Sequence, residues 1–280
     1  MNTRLSRQEF NLTDLEFHRL RVVVLELTGI ALADSKRELV YSRLARRLRK
    51  LKLTSFGEYC DMVESGFGDE VQELTNAITT NLTSFFRENY HFERLASEVL
   101  PQIERGRSTT RRMRFWSAGC STGEEPYSLA MILRESLGRM TNWDIRLLAT
   151  DIDSKVIEAA AAGAYETERL SGLTDNRASR WFSRSAARPG YSVVAPELRS
   201  LITFKQLNLL DPWPMSGLFD VIFCRNVVIY FDKDTQRRLF DRMADLQEPG
   251  GWLFIGHSEN LFNVTNRYKP VGRTVYRRVE

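Results

Sequence analysis

Two hydrophobic periods divide this chain. In residues 10–80 apolar positions recur every three or four residues: Val40, Leu44, Leu48 and Leu51 step by four, four and three, and so share one face of a helix. Amphipathic segments at 55–65 and 70–82 carry the same period, and no convincing strand interrupts them. Residues 89–105 continue helical, and Arg105-Gly-Arg-Ser-Thr-Thr-Arg-Arg112 is a polar connector. Beyond it the period changes. Short apolar runs at 113–118, 145–149, 201–204, 221–224 and 252–255 alternate with helical patterns such as 127–137 and 234–246. Continuous apolar strands separated by helices predict a mostly parallel sheet covered on both faces. Residues 268–271 and 274–279 flank Gly272-Arg273 and predict an antiparallel hairpin that finishes the sheet. Between Tyr165 and Leu201 the alternation breaks for longer than an ordinary connection allows. The segment Pro189-Gly190-Tyr191-Ser192-Val193-Val194 predicts a small inserted hairpin element there.

The expected organisation is an all-α domain over 1–80 and an α/β domain over 81–280, with an inserted subdomain at about 166–202. A chain of 280 residues can build both cores. No run reaches the roughly eighteen apolar residues of a membrane span, and residues 1–14 lack an apolar signal core. Cys60, Cys120 and Cys224 form neither a disulfide framework nor a metal-ligand spacing. A cytoplasmic protein without membrane insertion or bound metal is expected, and nothing demands more than a monomer. The net charge of +4 hides a local imbalance: residues 36–52 hold eight cations against one acid, Glu38. Such a helix is ordinarily a solvated face. Its sharper reading is a docking surface for an acidic partner, with nucleic acid as the competitor.

The chemistry concentrates at Phe115-Trp-Ser-Ala-Gly-Cys-Ser-Thr-Gly-Glu-Glu-Pro-Tyr-Ser128, where an apolar run enters a glycine turn and then a helix. Residues 145–150 form the next strand, which ends in Asp151. Strand, glycine turn, helix, strand and acid build a nucleoside pocket: glycine lets backbone approach the ligand, and the carboxylate accepts ribose hydroxyls. Asp151 can equally cap the helix that follows. Gly119 and Gly123 lack the third glycine of a dinucleotide loop. Glu124 and Glu125 complement a helix N-terminus, but they would repel a pyrophosphate. A ligand with positive centres fits better, and S-adenosylmethionine carries an amino group and a sulfonium.

Six ordered segments resemble the bacterial CheR methyltransferases. They are Asn81-Leu-Thr-Ser-Phe-Phe-Arg-Glu88, Ser121-Thr-Gly-Glu-Glu-Pro-Tyr-Ser128, Ala149-Thr-Asp-Ile-Asp153, Leu207-Asn-Leu-Leu210, Phe219-Asp-Val-Ile-Phe-Cys-Arg-Asn-Val-Val-Ile-Tyr-Phe231 and Gly256-His-Ser-Glu-Asn260. The resemblance implies a Rossmann-like S-adenosylmethionine-dependent methyltransferase domain with a small inserted antiparallel β-subdomain, preceded by an all-α N-terminal domain. It implies esterification of glutamate side chains on chemoreceptor cytoplasmic helices, with S-adenosylhomocysteine as product. Cofactor contacts are implied for Asn81, Thr83, Arg87, Glu125, Asp151, Asn208, Leu209, Arg225 and Asn226, and a substrate role for Arg87 and Tyr230. Against that acidic helical substrate, Arg43, Arg46, Arg47, Arg49 and Lys50 are expected to dock.

Methyl transfer to a carboxylate needs no general base, so His257, just past the 252–255 run, is expected to make a structural hydrogen bond. Phe85 and Phe86 are expected to pack, and Cys224 to be an ordinary buried strand residue. A nucleic-acid methyltransferase using the basic helix is the alternative enzyme, but Arg225-Asn-Val-Val-Ile-Tyr230 lacks the Asn/Asp-Pro-Pro-aromatic turn that holds a flipped base. A non-catalytic S-adenosylmethionine sensor is the alternative binding module. Some CheR proteins tether a receptor C-terminal peptide through a glycine-rich loop in the inserted subdomain. Here Ser183-Arg-Ser-Ala-Ala-Arg-Pro-Gly-Tyr191 has one glycine, and no tether is expected.

Overall fold

The computed structural model describes residues 9–137 and 142–279; the first eight residues of the N-terminal reading lie outside them. The chain divides into two compact units between Thr80 and Asn81.

In the first unit, helix α1 (Asp14–Thr28) opens with a capping box: Thr13 Oγ1 accepts the Glu16 N–H while Glu16 accepts the Thr13 N–H. Gly29, at φ 71°, ends it in the left-handed conformation. Helices α2 (Arg37–Leu51), α3 (Phe56–Glu64) and α4 (Glu70–Ile78) follow. Their stripes meet in one core that includes Leu20, Val24, Val40, Leu44, Leu48, Phe56, Val63 and Leu74. Helix α4 stops short of the expected residue 82 because Thr79 turns extended, at ψ 147°.

The second unit begins with α5 (Tyr90–Arg94), which runs through a wider π turn (Leu95–Val99) into α6 (Leu100–Gly106). Next come β1 (Arg112–Ala118), α7 (Glu124–Leu137), β2 (Asp144–Asp151) and α8 (Ser154–Ala162). Strand β3 (Ala164–Glu166), helix α9 (Asp175–Trp181), strands β4 (Phe182–Arg184) and β5 (Tyr191–Val194) and helix α10 (Pro196–Arg199) form the insertion. The chain then returns through β6 (Ile202–Gln206), β7 (Phe219–Cys224), α11 (Lys233–Asp245), β8 (Gln247–Ile255), β9 (Tyr268–Gly272) and β10 (Val275–Arg278).

The large sheet has the order β6-β2-β1-β7-β8-β10-β9. Its first five strands are parallel, and the terminal pair is antiparallel. Because both faces are covered, successive side chains of one strand enter different cores. Phe115, Val221, Phe223, Trp252 and Phe254 fill one, and Trp116, Ile222, Leu253 and Ile255 fill the other. The insertion forms a separate antiparallel sheet, β3-β5-β4. The expected hairpin is β4–β5, and β3 adds a third strand through Tyr165 opposite Ser192.

The rings of Phe223 and Phe254 stack at 4.3 Å on neighbouring parallel strands, and both are fully buried. Truncating Phe223 opens a cavity at the centre of the sheet. We expect Phe223→Ala to destabilise the second unit by about 3–5 kcal/mol in urea unfolding, with α1–α4 unaffected as measured by the fluorescence of a probe placed on α3.

Candidate active site

The carboxyl ends of the parallel strands carry the candidate residues. After β1, Gly119 (φ 84°) and Cys120 turn the chain, and both N–H groups donate to the Thr150 carbonyl, at 2.8 and 2.9 Å. A Cβ on Gly119 would meet Val227 Cγ2 at 2.3 Å, so no larger residue fits beside the β7 turn. Trp116 Nε1 donates to Thr150 Oγ1 at 2.9 Å and ties the ends of β1 and β2.

Asp151, at the end of β2, accepts the backbone N–H of Ser121 (2.8 Å) and of Asp153 (3.0 Å). Burial pushes its carboxyl up to about 6, against the lowering effect of those two donors. The helix-capping alternative belongs to its neighbour: Asp153 accepts the Lys155 and Val156 N–H groups at the start of α8. Asn81 Nδ2 donates to Asp153 Oδ2 at 2.8 Å, and Ser121 Oγ donates to the Asn81 carbonyl at 2.9 Å. Asn81, Ser121, Asp151 and Asp153 thus form one lattice, and half-buried Thr83 follows in the same loop. Leu207 donates its N–H to the Asp151 carbonyl at 2.9 Å, which sets Asn208 and Leu209 beside this edge. Asn208 Oδ1 accepts the Leu210 N–H, while the Leu209 carbonyl accepts Arg242.

A second lattice surrounds Arg225, which follows β7 and has a side chain 2% exposed. Its Nη1 donates to Glu125 Oε2 at 2.8 Å, and Ser117 Oγ holds the other oxygen of that carboxylate at 2.7 Å. Its Nη2 donates to the Arg87 carbonyl at 2.5 Å and lies 3.3 Å from Glu88 Oε2. Burial alone would raise the Glu88 carboxyl, but the His257 hydrogen bond and the Arg225 charge hold it down to about 2. Buried His91, 3.6 Å from Glu88, is pushed down to about 3 by desolvation and by the same arginine. Asn226, at φ 59°, and Val228 donate N–H groups to the buried Glu259 carboxylate, each at 3.0 Å, and Gly256 adds a third at 2.5 Å. This staple joins the turn that carries half-buried Tyr230 to the loop after β8.

The structure therefore gathers Asn81, Asp151, Asn208 and Leu209 at the end of β2, and Arg87, Glu125, Arg225 and Asn226 at the end of β7. Phe85 and Phe86 pack, each against aromatic neighbours. Cys224 is fully buried. His257 makes the expected hydrogen bond, Nδ1 to Glu88 Oε1 at 2.9 Å. Glu88, Ser117 and Glu259 escaped the sequence reading as contributors. Two of them lie inside the matched segments, where a carboxylate beside buried apolar residues was the available signal.

The residues fit a cationic adenosyl ligand better than an anionic one. Two carboxylates, Glu124 and Glu125, are buried at the start of α7, where a phosphate would need open N–H groups. Buried Arg225 Nε has no hydrogen-bond partner among the described residues.

Residues 81–277 match the family described as "CheR methyltransferase, SAM binding domain", and residues 15–79 match "CheR methyltransferase, all-alpha domain". Chemotaxis protein methyltransferase 2 of Pseudomonas aeruginosa is 46% identical over 271 residues, which cover 96% of this chain and 95% of that protein. Chemotaxis protein methyltransferase of Escherichia coli is 44% identical over 269 residues, 95% of this chain and 91% of that protein. A probable chemotaxis protein methyltransferase of Rhizobium etli is 42% identical, covering 89% and 94%.

An ionised Asp151 accepts hydroxyl donors at both oxygens, whereas its protonated form gives one of them up. With the carboxyl titrating at about 6, affinity for S-adenosylhomocysteine should be constant above about pH 7 and fall as pH drops through 6. Calorimetry from pH 8 to 5 measures this. Asp151→Asn should start about tenfold weaker and stay flat across the same range.

Proposed function

The chain belongs to the CheR methyltransferase family, and on that premise we propose that it methylates glutamate side chains on chemoreceptor cytoplasmic helices. The observation that carries this reading is the Arg225 lattice, which sets Arg87 beside an acid-lined nucleoside site. S-adenosylmethionine supplies a methyl group on a cationic sulfur. Glutamate is ionised at pH 7, so the acceptor needs no base to activate it. What remains is orientation of one carboxylate oxygen in line with the methyl group.

We assign Glu125 to the cofactor's amino group and Asp151 to the ribose hydroxyls. Arg87 Nη1 donates to the Leu82 carbonyl at 2.9 Å, which folds its side chain over its own loop and leaves further donors for the acceptor carboxylate. The Tyr230 hydroxyl is the second candidate donor. Cation and anion combine to neutral products, so a site that excludes water favours the transfer. Arg87 positions rather than activates, because a tight ion pair would blunt the nucleophile.

Substrate docking rests on fewer cations than the five expected. Arg43 donates to the carbonyls of Ala77, Ile78 and Thr79, and Arg47 pairs with Glu70 and Glu73. Both are spent inside the helical unit, because the C-terminal carbonyls of α4 and a buried carboxylate need partners there. Arg46, Arg49 and Lys50 are exposed, Arg49 in a surface pair with Glu9 at 2.7 Å, and form the docking face we assign. Family membership does not favour the nucleic-acid alternative. No peptide tether is assigned to the loop between β4 and β5, whose Arg188 stacks on Tyr191 at 3.5 Å.

Incubation with methyl-labelled cofactor and a receptor cytoplasmic fragment, followed by mild base, should release labelled methanol. Base-stable label would refute ester formation. Arg87→Ala should lower kcat about a hundredfold. Reversing Arg46 and Lys50 to Glu should raise the KM for receptor about tenfold and leave kcat alone.

A further inference from the structure

Arg87 sits between two non-glycine residues in the left-handed conformation, Phe86 at φ 54° and Glu88 at φ 57°. Each costs on the order of 1 kcal/mol, so the turn persists only where its surroundings hold it. One side is held deep in the protein: Ser128 Oγ accepts the Phe86 N–H at 3.0 Å, and Arg225 grips the Arg87 carbonyl. The other side is held at the surface. Glu88 Oε1 meets His257 Nδ1 at 2.9 Å, and Ser258 Oγ lies 3.0 Å from His257 Nε2. An ionised Glu88 only accepts, so Nδ1 carries the proton toward it, and Nε2 lies within hydrogen-bond reach of the Ser258 hydroxyl. The chain Ser258–His257–Glu88 therefore fixes the ring of His257.

We propose that Glu88 and His257 form a positioning pair for Arg87, locking the Phe86-Arg87-Glu88 turn to the loop after β8 so that the guanidinium meets the acceptor carboxylate in a fixed orientation. This rests on the glutamate-methylation reading above. The His257 side chain is 63% exposed, so its hydrogen bond adds little to global stability. Glu88 is already anchored at its other oxygen by Arg225 and by the Tyr90 hydroxyl (3.3 Å). At Oε1 Asn226 Nδ2 makes a long donation of 3.5 Å, and the histidine adds the tighter attachment at 2.9 Å, so that two firm points define an orientation where one does not.

The test combines turnover with a readout that needs no receptor. His257→Ala should lower kcat on the receptor fragment five- to tenfold, with S-adenosylhomocysteine affinity and melting temperature unchanged. It should also speed amide hydrogen exchange over residues 86–88 about tenfold. His257→Asn places an amide donor where Nδ1 stood and should restore both. In a Glu88→Gln background His257→Ala should have no further effect. Unchanged exchange in His257→Ala, failure of Asn to rescue, or fully multiplicative losses would overturn the pair. A wild type that releases no base-labile methanol refutes the glutamate reading alone, and the exchange measurement still judges the pair.

Discussion

One buried guanidinium organises this catalytic edge. Arg225 leaves the end of β7 into a space with almost no solvent, where an unpaired charge would be prohibitively expensive. It survives because two carboxylates and a backbone carbonyl arrive from two other segments: Glu125 from the start of α7, and Glu88 and the Arg87 carbonyl from the loop that precedes α5. Each partner is in turn fixed by a further contact, Glu125 by Ser117 and Glu88 by His257. The requirement to neutralise one charge thereby dictates where three segments sit. Burying hydrophobic surface would leave those segments free to slide; a charge-assisted network has far fewer acceptable geometries.

The same network sets the electrostatics of the site. Glu88, Glu125 and Arg225 together carry one net negative charge, with Asp151 adding another when ionised. A cofactor whose amino group and sulfonium outweigh its single carboxylate complements that balance, and a pyrophosphate does not. The incoming acceptor is itself an anion, so the site must keep its own carboxylates from repelling it. Pairing Glu88 with Arg225 and His257, and Glu125 with Arg225 and Ser117, directs those negative charges inward. Arg87, whose side chain folds onto the Leu82 carbonyl, is the cation of the group without a carboxylate partner among the described residues.

Most of the fold was legible because fully buried strands cannot hide. The runs at 221–224 and 252–255 are apolar at every position and that at 113–118 is broken only by Arg114 and Ser117, since both sheet faces are covered, and they became β7, β8 and β1 with boundaries extended by a few residues. Short edge elements were less legible. β3 and β4 span three residues each and carry Glu166 and Arg184, which no apolar period marks. The glycine loop and Asp151 were readable from spacing, and the remaining site residues only through resemblance to a family. Charge alone misjudged α2: eight cations looked like one surface, but Arg43 and Arg47 face inward to the end of α4 and to Glu70. A helical repeat places residues on faces, yet it does not say which long side chain will bend back to satisfy a carbonyl.

Seven described non-glycine residues of the second unit adopt left-handed backbone, and Arg111, Asn263 and Thr274 lie in other turns. Phe86, Glu88, Ser121 and Asn226 all adopt left-handed backbone without being glycine, and all four lie in the loops that form the site. Each is held by a donor or acceptor from another segment: Phe86 by Ser128, Glu88 by Arg225, Ser121 by Asp151, Asn226 by Glu259. Four such residues cost several kcal/mol together, a large fraction of a domain's net stability. A reaction that needs no acid or base has little to gain from reactive side chains. It gains from loops that do not move when the acceptor arrives, because the alignment entropy has been met during folding rather than at each turnover. The doubly buried sheet supplies the stability margin that makes this arrangement tolerable, which ties the apolar runs of the sequence to the catalytic edge that the same strands carry.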